Sequence, residues 1–341
     1  MHIELLQNDT KPWDDYVTNT PAASVYHLTA WRQVIEKTFH HRSYYFMARE
    51  GGEVVGVLPL VLIRSLLFGR YLVSLPCFNY GGISASNPAV GRALLEQAIE
   101  VGRHEGATHI ELRHQESSTV DLPCKTGKVA MVLELPSSSD ALWEGFRAKL
   151  RSQVKRAERE RMAVKIGGLE LLDGFYAVFA RNMRDLGTPV YSKSFFRTIL
   201  KTFPAQARIV SVYHQERPVA SGFLIGFNDR MEIPWASSLR EFNSLGTNML
   251  LYWQALKFAV DTGHRQFDFG RSSVDSPTFK FKQQWGAGPR QLYWHYWTPD
   301  EKPLPDISPR NPKYRLFIAA WKRMPLALTL ILGPRIVHGI P

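Results

Sequence analysis

Residues 93–112, ALLEQAIEVGRHEGATHIEL, and residues 249–269, MLLYWQALKFAVDTGHRQFDF, carry one pattern twice. Each reads as an amphipathic helix that stops at a glycine and gives way to a short strand. Gly106 and Gly263 stand where a helix ends in left-handed backbone, which glycine enters without a Cβ clash. In both copies the second apolar residue of the strand, Leu112 and Phe269, follows that glycine by six positions. Upstream, a hairpin pattern also recurs. Tyr44–Ala48, a turn at Glu50-Gly51-Gly52-Glu53 and Val54–Leu60 match Arg208–Tyr213, a turn at His214-Gln215-Glu216-Arg217 and Pro218–Ile225. The matching order and the offset, 157 residues between the two glycines, predict that whole α/β domains are repeated.

Length and composition agree with this. The chain has 341 residues, 45% of them hydrophobic and 21% charged, enough for two cores of ordinary domain size. Between the copies, Asp140–Arg161 reads as one basic helix with Leu142, Phe146 and Leu150 as its apolar stripe. It is either a solvated face or a surface that presents charge to phosphate or RNA. The expected divisions are residues 1–165, including that helix, residues 166–300, and a tail over 301–341. The tail opens Pro-rich and continues through Tyr314–Met324 and Leu326–Leu332. Trp321 and its basic neighbours suit an interfacial membrane anchor, and equally a helix docked on the body or on a second subunit.

The net charge of +11 favours anionic partners, namely phosphates, nucleotides, RNA or acidic lipid headgroups. Cys77 and Cys124 are the only cysteines, which suits a reducing compartment and argues against a zinc site or a disulfide framework. The N-terminus has no basic segment followed by an apolar one, and no apolar run reaches the ~18–20 residues of a spanning helix. The expected location is cytoplasmic, with the inner face of the membrane as the place of any peripheral contact. The eleven histidines lack metal-ligand spacing, and most are expected at surface or turn positions. No G-x-S-x-G, Walker A, G-x-G-x-x-G or H-E-x-x-H motif occurs.

Chemistry concentrates between Phe267 and Gly286. A strand ends at Gly270, and Arg271 and a polar loop lead to Phe279-Lys280-Phe281-Lys282. Read as extended chain, the alternation puts Lys280 and Lys282 on one face and the phenylalanines on the other. Two such lysines beside Arg271 require either an open rim or an anion.

These residues carry a resemblance. Phe267-Asp268-Phe269-Gly270-Arg271 and Phe281-Lys282-Gln283-Gln284-Trp285-Gly286 resemble motifs of the Fem family, the aminoacyltransferases that build peptidoglycan interpeptide bridges. Leu75–Gly82 resembles that family's Pro-x-x-x-Tyr-Gly-Gly turn, and Lys149–Glu158 its basic connecting helix. Within the family, the chain is similar to the subgroup associated with exosortase and PEP-CTERM systems. The resemblance implies an α/β (α+β) fold of two tandem acetyltransferase (GNAT)-like domains, each a mixed central sheet flanked by helices. It implies transfer of an aminoacyl or acyl group onto an amino group of a cell-envelope or exopolysaccharide precursor.

Lys282 and Asp268 are then the catalytic pair, with the lysine at the developing oxyanion. Arg271, Lys280, Phe281, Trp285, Tyr80 and Asn248 are the expected substrate contacts. No prosthetic group is implied, and the donor is an aminoacyl-tRNA or an acyl-CoA. The expected partners are an anionic small molecule or nucleotide-linked precursor, and charged tRNA. The chain lacks the long coiled-coil arm of many Fem enzymes. At the position where acetyltransferases hold the CoA pyrophosphate, Arg240–Asn248, only Gly246 is present. Two other readings stay open: an acyl-CoA-dependent N-acyltransferase, and a non-catalytic scaffold in polysaccharide or protein export.

Overall fold

The computed structural model describes residues 1–65, 69–117, 120–301 and 312–340. The first half of the chain gives β1 (His2–Leu5), α1 (Lys11–Asn19), α2 (Ala30–Phe39), β2 (Arg42–Glu50), β3 (Glu53–Ser65), β4 (Gly69–Val73), β5 (Ser84–Ala85), α3 (Pro88–His104), β6 (Ile110–His114) and β7 (Cys124–Lys125). Then follow β8 (Val129–Glu134), α4 (Ser139–Gly145), α5 (Ala148–Arg159), β9 (Ala163–Gly167), α6 (Leu172–Leu186), α7 (Lys193–Thr202), β10 (Ala207–His214), β11 (Arg217–Phe227) and β12 (Arg230–Ser238). The chain closes with α8 (Thr247–Asp261), β13 (Gln266–Ser272), α9 (Pro277–Gln283), β14 (Gly288–Gln291), β15 (Tyr293–Trp297), α10 (Pro312–Arg323) and α11 (Leu326–Val337).

Two mixed sheets result, each flanked by helices. One has the order β1-β2-β3-β4-β6-β15-β7, with β5 on β3; the other runs β9-β10-β11-β12-β13-β8-β14. The predicted repeat is visible strand for strand. The antiparallel hairpins β2–β3 and β10–β11 hold corresponding places. In each sheet one parallel pair, β4–β6 or β12–β13, is joined through a crossover helix, α3 or α8. The glycine stops are also the same. Gly106 N–H donates to Arg103 O and Ala107 N–H to Gly102 O; Gly263 N–H donates to Val260 O and His264 N–H to Ala259 O. Both glycines have positive φ, 65° and 83°, so both ends are the double-bonded left-handed cap.

The sequence did not reveal how the sheets are completed. β8 leaves the first half of the chain and pairs in the second sheet, while β15 follows the second half and pairs between β6 and β7 of the first. The compact units are therefore residues 1–129, 290–307 and 335–341, and residues 130–289 and 308–334. This corrects the expected boundary at residue 165. The basic helix belongs to the second unit, where α5 packs on α8. Nor is that helix continuous: Phe146 is extended (ψ 144°) after Gly145, separating α4 from α5. The buried stripe of α5 is Leu150, Val154 and Ala157.

Most histidines lie at exposed or half-buried positions as expected, and five do not. His27, His41, His109, His114 and His295 are buried, all in the first unit. Ile83 N–H donates to His114 Nε2 at 3.0 Å, so His114 carries its proton on Nδ1 and donates it to His295 Nδ1, also 3.0 Å away. Gly82 lies against that ring; a Cβ there would stand 2.6 Å from His114 Cδ2. Among the described residues no three His, Cys, Asp or Glu side chains are placed to hold a metal ion.

The tail is a docked element in the second unit. Trp321 is 1% exposed, Ile318 lies over Gly187 at the end of α6, and Gly333 lets α11 approach Val190. The Pro-rich stretch over 302–311 lies outside the described residues. Among the described residues no helix is long and apolar enough to cross a membrane.

Candidate active site in the second unit

The parallel pairing of β12 with β13 covers only Arg230–Gln266, Met231–Phe267 and Glu232–Asp268. Beyond that point the strands continue to Ser238 and Ser272 without pairing to each other, which leaves an opening at their carboxyl ends. Two buried carboxylates, Glu232 and Asp268, stand where it begins. In parallel α/β sheets this edge is where loops and helix N-termini converge on ligands. Here the chain leaves β12, makes a 3₁₀ turn over Arg240–Leu245 and enters α8.

The start of α8 carries no side-chain cap. Gly246 takes φ +73°, while the Thr247 hydroxyl is fully buried with no hydrogen-bond partner among the described residues. Free N–H groups at the head of a fifteen-residue helix attract negative charge. The corresponding helix α3 in the first unit differs, because Asn87 Oδ1 accepts from Ala89 N–H and Val90 N–H. α5 adds exposed Lys155 and Arg156, and Arg156 donates to Ser244 O at 3.2 Å.

A Cβ on Gly246 would lie 3.1 Å from Ala157 Cβ, so α5 and the turn before α8 fit closely. Gly246→Ala is expected to cost about 1–2 kcal/mol, from left-handed backbone strain and the displaced contact. A lower urea midpoint with an unchanged slope checks this.

Across the opening lies Lys282. The structure corrects its setting: Phe279–Lys282 is not extended but belongs to the short helix α9, with Ser276 as N-cap accepting from Phe279 N–H and Pro277 in its first turn. Residues two apart on a helix face away from each other. Lys280 is therefore exposed and Lys282 only 8% exposed. The Lys282 ammonium donates to Gly270 O and Arg271 O, each at 3.0 Å. Burial drives its pKa down to about 8, against the opposing pull of Asp268 and Glu232. Asp268 Oδ1 accepts Gly270 N–H at 2.7 Å, which holds the end of β13 in the bend that exposes those two carbonyls.

The other expected contacts divide. Phe281 is half-buried, edge-on to Tyr252 at 5.0 Å, and Trp285 is buried against Phe146 and Tyr252. The Trp285 indole N–H has no partner among the described residues. Arg271 is exposed beside Lys282's carbonyl partners, and Asn248 is half-buried in the first turn of α8. Tyr80 belongs to the first unit, 2% exposed, with its ring 6.0 Å from Tyr26; it is core rather than an open contact surface. Sequence reasoning missed Glu232 and Thr247. A lone glutamate in Met231-Glu232-Ile233-Pro234 could have been found as a charge inside an apolar strand.

The strand opening, the start of the crossover helix and a buried cation thus meet at one sheet edge, and comparisons with known proteins bear on this unit. Residues 144–283 match the acetyltransferase (GNAT) domain family. That match runs from the end of α4 to the end of α9 and includes Glu232, Thr247, Asp268, Arg271 and Lys282. The fold extends further. The chain is similar to the crystal structure of FemX (16% identity, TM-score 0.67), with 92% of this chain and all of that one covered. It is also similar to the C-terminal domain of a putative lysylphosphatidylglycerol synthetase from Agrobacterium fabrum (12% identity, TM-score 0.56, covering 84% and 90% of the two chains). A tandem GNAT protein of the clavulanic acid biosynthesis pathway aligns at 14% identity and TM-score 0.54, covering 89% and 99%. No curated protein matches the sequence. These likenesses establish a tandem GNAT fold, and the acetyltransferase domain supports an acyl-transferring enzyme.

Proposed function

We propose that the chain is an N-acyltransferase that uses an acyl-CoA-type donor, with the second unit as its donor site. The observation that carries this reading is the uncapped N-terminus of α8, at the same sheet edge where β12 and β13 part and Lys282 is held. The donor's pyrophosphate would meet the α8 N–H groups and the positive charge of α5, while its acyl thioester would enter the strand opening. The acceptor amine attacks the carbonyl carbon, the C–S bond breaks, and the thiolate takes up the proton that the amine sheds. Lys282, with two N–H groups fixed on carbonyls, turns its third toward the developing oxyanion. Asp268 is a positioning residue that acts through β13 and Lys282.

On the resemblance alone, the acceptor would be an amino group of an anionic, nucleotide-linked envelope or exopolysaccharide precursor. The FemX-like fold and the charge of α5 favour a second reading, in which a charged tRNA supplies the acyl ester.

Calorimetry and thermal shift with acetyl-CoA test the first reading. Binding at a hundredfold excess over Kd should raise stability by about 2.7 kcal/mol. Lys155→Gln with Arg156→Gln should weaken that binding, and added salt should weaken it further. No shift with any acyl-CoA, beside a clear one with charged tRNA, transfers the assignment to the aminoacyl ester.

A further inference from the structure

The docked tail has an outer face that is exposed among the described residues. α11 turns Thr329 and Gly333 inward, the latter against Val190. Leu328 (48% exposed), Ile331 (56%) and Leu332 stand outward at helical spacing i, i+3, i+4, and Arg335 continues the row at i+7. On α10, Trp321 faces inward while Leu316, 81% exposed, shares a face with Ala320 and Arg323. Exposed leucines in a row are uncommon on a protein surface and mark an interaction site. The charge around them has one sign: residues 312–341 contain Lys313, Arg315, Lys322, Arg323 and Arg335 and no Asp or Glu.

We infer that α10 and α11 form a docking face for an anionic lipid bilayer, with Leu328, Ile331 and Leu332 entering the headgroup–acyl boundary and the arginines meeting lipid phosphates. Such a helix lies in the plane of the interface and does not cross it. Unbroken positive charge selects an acidic lipid surface over a second copy of this chain, whose equivalent face would repel it. This inference is independent of the reaction assigned to the second unit. Because Trp321, Ile318 and Gly333 bind the tail to the body, removing the tail would uncover α6, and surface substitutions are the appropriate probe.

The experiment is co-sedimentation of the full-length protein with phosphatidylglycerol-containing and pure phosphatidylcholine vesicles. The wild type should bind the first and bind the second much more weakly. Leu328→Ser with Ile331→Ser and Leu332→Ser should reduce binding on the order of tenfold or more while leaving the melting curve unchanged. Arg315→Gln, Arg323→Gln and Arg335→Gln should each reduce it about fivefold. Failure of the wild type to sediment overturns the inference. So does a serine variant that sediments like wild type, because the apolar row then does not enter the bilayer. A wild type that dimerises in solution, with a monomeric serine variant, assigns the face to a second copy and overturns it too.

Discussion

Lys282→Met should leave the protein folded and reduce turnover by about 10²–10³-fold, with donor affinity nearly unchanged. Folding survives because two effects oppose each other. Forcing the charged ammonium into its site costs about 3 kcal/mol, from a pKa near 8 against the usual 10.5. Its removal orphans two carbonyls, at about 1–3 kcal/mol each. The pH dependence should also be diagnostic. Lys282 is charged below about 8 and neutral above it, so a cation at the oxyanion predicts turnover that falls as pH rises through 8. A rate that rises through 8 would instead make the neutral amine the working form, as a base. Linkage runs the other way for stability. The folded pKa lies below the unfolded one, so the unfolded chain holds more protons between about 8 and 10.5, and this group's contribution rises with pH across that window. Lys280→Met is the control, since its exposed ammonium should leave both rate and stability close to wild type.

A chain that ends at Pro289 should lose the fold of the first unit altogether. β15 lies between β6 and β7, with Tyr293 to Trp297 registered on His114 to Ile110, and Tyr296 and His295 buried. Without it β6 has an uncovered edge, β7 has no partner strand, and the truncated chain exposes an aggregation-prone sheet. Circular dichroism and hydrogen exchange should show residues 1–129 unprotected, while the sheet built on β10–β13, which keeps those strands but loses the cover of α10 and α11, is weakened less. Protection of β2, β3 and β6 in the truncated chain would show that the first sheet is self-sufficient.

The same strands explain what the sequence could and could not convey. The repeat was legible because its signals are local: a glycine at the end of each crossover helix and a turn at each hairpin. Strand exchange is not local. Val129–Glu134 and Tyr293–Trp297 are short apolar runs whose composition says that they are buried, but not in which sheet. At Lys282 the sequence suggests an extended setting, and the structure gives a helical one. Phe-Lys-Phe-Lys has the period of a strand, yet Ser276-Pro277 before it is a helix start, and the cap outweighed the alternation. The buried minority of the histidines is not legible from residue type, which suggests a surface, although His114 closes a buried strand and His295 sits amid Tyr293-Trp294 and Tyr296-Trp297.

That histidine pair ties the second-half strand to acidity. His114 Nε2 accepts from Ile83 and its Nδ1 donates to His295, so any added proton breaks one of the two bonds. Burial holds His114 down to about 3 and His27 to about 4, and lowers His295 as well. Their folded values lie below the unfolded 6.5, so the stability they confer is complete above that pH and declines as pH falls toward 3. The clasp of β15 on β6 should therefore weaken as pH falls below 6.5. Exchange protection of Tyr293–Trp297 should fall between pH 6.5 and 4 ahead of the β10–β13 sheet, which has no buried histidine.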